Sequence, residues 1–291
     1  MKISHLGKNG DLVYALPVIK ALARIRGEPI TIFTSPLCYQ IVPLLWEQPY
    51  IKDVEIDYSR SYKIKDNCID PWNVLEYPDL NLSPQPAMYR PSSPRPYTHA
   101  YMEIAGIETL EIKDRIAFPT LWNHRQWYWE HKVEYADKPT WTPPKTVVLA
   151  PESESLKTVP NQLWDEISIS LSYHYDVYIV GQQRGSWSYR NTIHDLRGLT
   201  TVSSMSRLLA EAHAVISSPS LPFHIARHCG TPTFAFCITS FERFNPIDTP
   251  FKYVVPENWK PMVDEIISFA EKPVTTWWKK RDLDIILNSH G

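Results

Sequence analysis

Residues 5–22, HLGKNGDLVYALPVIKAL, set Asp11 behind two glycines and a lysine and in front of an apolar run. Residues 1–6 read as a short strand and 17–26 as an amphipathic helix, so the segment His5-Leu6-Gly7-Lys8-Asn9-Gly10-Asp11 is a strand-to-helix turn. A carboxylate in such a turn is ionised at neutral pH and can accept a proton from a hydroxyl held opposite it. It is equally suited to cap the helix, where an acid offsets the dipole, and local chemistry alone favours the cap. Gly7 and Gly10 permit tight backbone turns, and a helix opening near Asp11 presents free amides. The three-residue glycine spacing with no third glycine is neither a GxGxxG nor a Walker A loop. Pro17 leaves two helix starts open: a continuous, kinked helix from near Asp11, or one with Pro17 as its first residue.

Three further turns carry candidate binding residues. In PESESLKTVP, residues 151–160, Lys157 is suited to pair with a pyrophosphate, or it is a solvated surface residue. The strand 176–180 runs into GQQRG, where Gly181 lets a base or ribose approach closely, or simply ends the strand. In SSPSLPFHIARHCGTP, residues 217–232, Ser218 and Ser220 supply hydroxyls, a helix N-terminus supplies amides for an anion, and His224 falls in the first turns, facing a cleft. A helical histidine is more often packed than catalytic. The cysteines Cys38, Cys68, Cys229 and Cys237 form no CxxC pair and read as reduced thiols, mostly in the core. Asp282-Leu283-Asp284 is formally a DxD triplet, but it follows Lys279, Lys280 and Arg281 with no strand before it, so no metal site is expected.

These turns need elements to position them. Strands are expected at 2–6, 30–34, 54–57, 146–150, 176–180, 214–217, 233–236 and 253–255, short apolar runs of the kind found in buried parallel sheets. Helices are expected at 100–107, 122–131, 162–173 with Asn161 as cap, 204–213 with Ser203 or Ser204 as cap, and 262–287 broken at Pro273. The alternation occurs twice, from 1 to about 58 and from 146 to about 255, which predicts an α/β chain of two Rossmann-like domains with parallel sheets facing a central cleft. The domains are placed at 1–140 and 145–291, joined by the stiff, proline-bearing segment 135–145. A proline-rich insertion at 70–97 excludes regular helix over most of its length and reads either as a substrate loop or as a rigid excursion.

The chain has 291 residues, 43% hydrophobic and 21% charged, with a net charge of −2. That suits a soluble globular protein and gives no overall attraction to nucleic acid, though a local basic patch stays open. No apolar run approaches the ~20 residues that span a bilayer. With no leader pattern at the N-terminus, a cytoplasmic location is expected.

Four of these segments, in order across most of the chain, resemble glycosyltransferase family nine, which contains the lipopolysaccharide heptosyltransferases. GDLVYALPVIKAL is similar to its Gly-Asp signature and ESLKTVPNQLWDEI to its Lys-x-x-Pro and Trp segment. DVYIVG with DLRGLTTVSSMSRLLAEAHAVISS matches its next strand and Leu-x-Gly-x-Thr region, and SPSLPFHIARHCGTPTFAFC its donor site. The resemblance implies a GT-B fold, an N-terminal acceptor domain, a C-terminal domain for the nucleotide-diphosphate sugar, and a last helix packing back on the N-terminal domain. It implies that Asp11 is the general base of an inverting, metal-independent transfer, with Gly7, Lys8 and Gly10 forming the acceptor loop. Lys157, Gly181, Ser218, Ser220, Leu221 and His224 would hold the donor, and no cofactor is implied beyond that co-substrate. The sequence departs at the donor turn, where Pro219-Ser220-Leu221-Pro222 replaces the family's Asp-Ser-Gly-Pro. The acceptor is then a surface glycan or, given basic-aromatic stretches such as RGSWSYR at 184–190, a hydroxymethylated base in DNA. The altered donor turn keeps a second class open, a GT-B scaffold that binds a nucleotide or sugar without turning it over.

Overall fold

A computed structural model describes residues 1–58, 64–65, 68–69, 79–83, 97–110, 114, 146–153, 159, 161–182, 193–237, 251–253 and 260–273. They fall into two compact units, residues up to 114 forming the first and those from 146 onward the second. The expected helix at 122–131, the linker 135–145 and the chain beyond 273 lie outside the described residues.

The first unit opens with β1 (Lys2–His5), α1 (Asn9–Arg26), β2 (Ile30–Thr34), a 3-10 turn at Pro36–Ile41, α2 (Val42–Trp46) and β3 (Ile51–Ile56). A short hairpin of β4 (Ile64–Lys65) and β5 (Cys68–Ile69), then β6 (Leu80–Asn81) and α3 (Tyr97–Ala105), complete it. The four-stranded sheet runs β3-β2-β1-β6 with every pairing parallel. β6 sits inside the proline-rich stretch, in the proline-free gap between Pro78 and Pro84, where backbone N–H groups can join the ladder.

α1 is continuous from Asn9, with Pro17 inside it, which decides between the two starts left open by the sequence. The amphipathic helix expected at 17–26 is the second half of it: Leu12 through Ile19 are buried without a break, and Arg24 to Arg26 emerge. It ends on Gly27 at φ 71°, whose amide reaches Arg24 O while that of Glu28 reaches Ala23 O, closing the orphan carbonyls. The Arg24 guanidinium grips the fully buried Asp114 at 3.1 and 3.0 Å, a bidentate pair that neutralises a carboxylate taken out of water.

The second unit carries β7 (Thr146–Ala150), α4 (Asn161–Leu171), β8 (Asp176–Ile179), β9 (Ile193–Asp195), α5 (Val202–Glu211), β10 (Ala214–Ser217), α6 (Leu221–His228), β11 (Thr233–Cys237), β12 (Phe251–Tyr253) and α7 (Lys260–Glu271). Its strands are all parallel in the order β12-β11-β10-β7-β8-β9. Numbered from β7 and read from the other edge, this is the 3-2-1-4-5-6 winding of dinucleotide-binding folds. α5 begins two residues earlier than expected, because Thr201 is the cap and exchanges bonds with Ser204. Asn161 is the first residue of α4 rather than its cap.

Leu149, Ile179, Ile216, Phe234 and Phe236 of the sheet pack with Trp164 and Ile167 of α4 and Ile266 of α7. The Trp164 ring, 1% exposed, lies 4.6 Å from that of Phe236. Trp164→Ala is expected to lower the stability of this unit by about 3–5 kcal/mol, through lost burial plus the cavity left behind. Urea denaturation followed by hydrogen exchange in peptides of this unit checks it.

In each sheet the first strand has neighbours on both sides, so the chain winds one way and then the other. The switch points lie between β1 and β6 and between β7 and β10, and α/β folds take their ligands at the carboxyl ends of strands at such points.

Candidate functional site

At the first switch point, side chains fasten the two loops together. The Leu82 amide donates to Ser4 O at 2.8 Å, the Leu6 amide to Ser83 Oγ at 3.0 Å, and Ser4 Oγ to Asn81 Oδ1 at 3.0 Å. The Gly7 peptide is gripped from both ends. Its N–H donates to His5 Nδ1 at 3.3 Å, and its carbonyl accepts the Cys38 thiol at 3.0 Å. Because Nδ1 accepts, the His5 proton sits on Nε2 and points to the Tyr101 hydroxyl at 3.3 Å. Burial lowers the His5 pKa to about 3, so the ring is neutral and keeps this tautomer. Burial likewise pushes the Cys38 thiol up to about 12, with the Asp11 charge adding to the effect, so it stays a donor.

Lys8 is the cap of α1, in extended conformation at φ −83° and ψ 168°. Asp11 stands three residues on, half-buried in the first turn, and its Oδ2 accepts the Lys8 amide at 3.1 Å. Asp11 is thus not the cap residue itself but the third residue of the helix, whose carboxylate reaches back to the amide of the cap. Asn9 Nδ2 ties the helix start to Gln40 Oε1 at 3.3 Å. Gly7, Lys8, Gly10 and Asp11 thus share one firmly held turn. Neither Gly7 nor Gly10 is among the glycines of positive φ, and Gly10 is already helical, so the turn forms without left-handed backbone at either.

The second switch point is fastened in the same manner. Ser218 Oγ donates to Pro151 O at 2.9 Å, its amide donates to Ala150 O at 2.9 Å, and Ser153 Oγ donates to Pro219 O at 3.1 Å. Ser218, read from sequence as a ligand contact, is buried with its proton committed to the fold. Ser220 caps α6 in extended backbone, its hydroxyl on Ser218 O at 3.2 Å. α6 then opens with Leu221 and Pro222; the first amide with a partner inside the helix is that of His224, on Ser220 O at 3.2 Å. Pro222 has no N–H, so Leu221 and Phe223 supply the amides of this terminus.

His224 lies in the first turn of α6 but is only 6% exposed, edge-on to Phe223 at 5.1 Å. Burial, with the Arg227 charge beside it, lowers its pKa to about 3, and His228 is lowered well below the usual value for the same reasons. Gly181 lies just beyond β8, where the Glu152 carboxylate fills the space that a Cβ would need, and Glu152 Oε2 accepts the Gln182 amide at 2.6 Å. No spacing signal marks Glu152 in the sequence; only the glycine opposite it hints that something approaches there. Lys157 and Asp282-Leu283-Asp284 lie outside the described residues.

No protein-family model matches the sequence, and no curated protein sequence matches it. Solved structures match in shape. The family 9 glycosyl transferase of Veillonella parvula aligns at TM-score 0.58 and 12% identity, over 94% of this chain and 89% of that one. The E. coli heptosyltransferase WaaC with ADP aligns at TM-score 0.63 and 11% identity, over 93% of this chain and 98% of that one. E. coli ADP-heptose LPS heptosyltransferase II gives 0.56 and 12%, over 93% and 98%. The chain has the GT-B fold of these glycosyltransferases. At such identities the likeness is one of fold, and the roles of residues in this GT-B chain rest on its own geometry. Among its described residues no group of three or more His, Cys, Asp or Glu can hold a metal ion, and no helix is long and apolar enough to cross a membrane.

Proposed function

We propose that the chain is an inverting, metal-independent glycosyltransferase that moves a sugar from a nucleotide-diphosphate sugar to an acceptor hydroxyl. The observation that carries this reading is Asp11, a carboxylate in the first turn after a Rossmann-like switch point, on a turn held from several sides. Asp11 takes the proton of the acceptor hydroxyl. The acceptor oxygen bonds to the anomeric carbon as the bond to the diphosphate oxygen breaks on the opposite face, and the nucleoside diphosphate leaves with that electron pair. The amides of Leu221 and Phe223 at the head of α6, together with Lys157, spread the negative charge of the departing diphosphate. Gly7, Lys8 and Gly10 line the acceptor side, and a surface glycan is the favoured acceptor over a hydroxymethylated DNA base.

Purified protein incubated with ADP-, UDP- and GDP-sugars, with and without lipopolysaccharide-core glycans or hydroxymethylated DNA, tests this. One donor is expected to release its nucleoside diphosphate only when a suitable acceptor is added. Lys157→Ala is expected to weaken binding of that donor about 10- to 100-fold by calorimetry, the scale of a charge-assisted phosphate contact. The loss of an amide at Pro222 favours one other reading, a scaffold that binds nucleotide without transfer. Tight nucleotide binding with no release on any acceptor would establish that reading instead.

A further inference from the structure

The second switch point holds a carboxylate to which the transfer scheme gives no task. Glu152 follows Pro151, the residue whose carbonyl receives the Ser218 hydroxyl, so it belongs to the loop at the end of β7. Its side chain turns toward the end of β8. Oε2 accepts the Gln182 amide at 2.6 Å, and a Cβ built on Gly181 would stand 2.7 Å from Cδ and Oε2 and 2.9 Å from Oε1. Gly181 therefore leaves the space the carboxylate occupies. Asp195, the acid on β9, is engaged by Arg197 through two bonds of 2.9 and 2.8 Å.

In dinucleotide-binding folds an acid near the end of the second strand accepts a hydrogen bond from the ribose. Here the second strand of the winding is β8, whose one acid, Asp176, stands at its start, and which runs out in Val180-Gly181-Gln182 with no acid at that end. Glu152 reaches across from the neighbouring strand and sets a carboxylate at that place. We propose that Glu152 reads the ribose diol of the nucleotide, and this rests on the second unit being the nucleotide site. A diphosphate on the amides heading α6, beyond β10, and a ribose at β8 are two strand spacings apart, about 10 Å, the scale of a nucleoside diphosphate. A carboxylate accepts and cannot donate, so it favours the two donors of a free diol, disfavours a deoxyribose and repels a phosphorylated ribose. A merely structural role, holding the 181–182 turn, would act on every nucleotide alike.

Calorimetric titration of the full chain with ADP, UDP and GDP and with their 2′-deoxy counterparts separates these cases. Wild type is expected to bind its preferred ribonucleotide at least tenfold more tightly than the 2′-deoxy form. Glu152→Gln should remove most of that ratio while leaving affinity for the 2′-deoxy form unchanged, which also shows that the variant is folded. Gly181→Ala, at a position without positive φ, should displace the carboxylate and shrink the ratio in the same direction. An undiminished ratio in Glu152→Gln, or an equal loss for both forms, would overturn the inference while leaving the nucleotide site standing. Absence of binding by wild type to all six compounds would overturn the nucleotide site and the inference together.

Discussion

Asp11→Asn is expected to cut sugar transfer by about 10²–10⁴-fold, the usual contribution of a general base, with little change in donor affinity. The substitution is chosen because Asp11 has two tasks. Its Oδ2 accepts the Lys8 amide at 3.1 Å, and the amide oxygen of asparagine can take over that bond. What asparagine loses is the charge: about 0.3–1 kcal/mol of favourable interaction with the dipole of α1, and the whole capacity to carry away a proton. Asp11→Ala removes cap and base together and should cost about another 1 kcal/mol in stability, with no further loss of turnover. Turnover measured as nucleoside diphosphate release, with donor affinity by calorimetry and stability in urea, distinguishes the roles. If Asp11→Asn turns over as wild type does, the carboxylate is a cap and the base lies elsewhere.

Mild acid should destabilise the protein, and the second unit more than the first. His5, His224 and His228 are buried and neutral, the first two with pKa lowered to about 3 and His228 lowered well below the usual value. In the unfolded chain each takes a proton near pH 6.5. Below that pH the unfolded state binds protons that the native state refuses, so stability present above pH 6.5 is lost as pH falls toward 3. Each ring contributes up to about 1.4 kcal/mol per pH unit. His224 and His228 both lie on α6, either side of Arg227, so two such rings act on the second unit and one, His5, on the first. Set against a domain's usual stability of about 5–15 kcal/mol, such a loss over one or two pH units is a large share. Urea midpoints by hydrogen exchange at pH 7.5 and 5.5 should show both transitions falling, that of the second unit further. Equal midpoints at the two pH values would mean that the rings are charged in the native state.

All eight strands expected from apolar runs are present with small shifts, because a buried parallel strand announces itself by composition. β4, β5, β6 and β9 were not legible. They have two or three residues each, too few to show a period, and β6 exists because β1 offers it a parallel edge beside Ile3 and Ser4. For α1 the amphipathic pattern at 17–26 marks only the second half of a longer helix, whose stretch from Leu12 to Ile19 is buried without a break and so shows no period. At the site, Asp11 was legible because its turn is contiguous in sequence. Glu152 was not, since its importance arises from Gly181 and Gln182, some thirty residues away and adjacent only through the pairing of β7 with β8. The serines at the switch points read as hydroxyls for a ligand; those that structure shows bonding carbonyls across the junction serve the fold.

The thiol that clasps the glycine turn doubles as a clock. Cys38 is fully buried, its proton is given to Gly7 O, and its acidity is suppressed, so an alkylating reagent meets neither an accessible sulfur nor a thiolate. Modification of that one atom must await a fluctuation that parts the 3-10 turn from the Gly7 loop. Its labelling rate under native conditions therefore counts how often the ground beneath Asp11 gives way, and slower labelling in the presence of a small molecule would mark that molecule as one that settles on the turn.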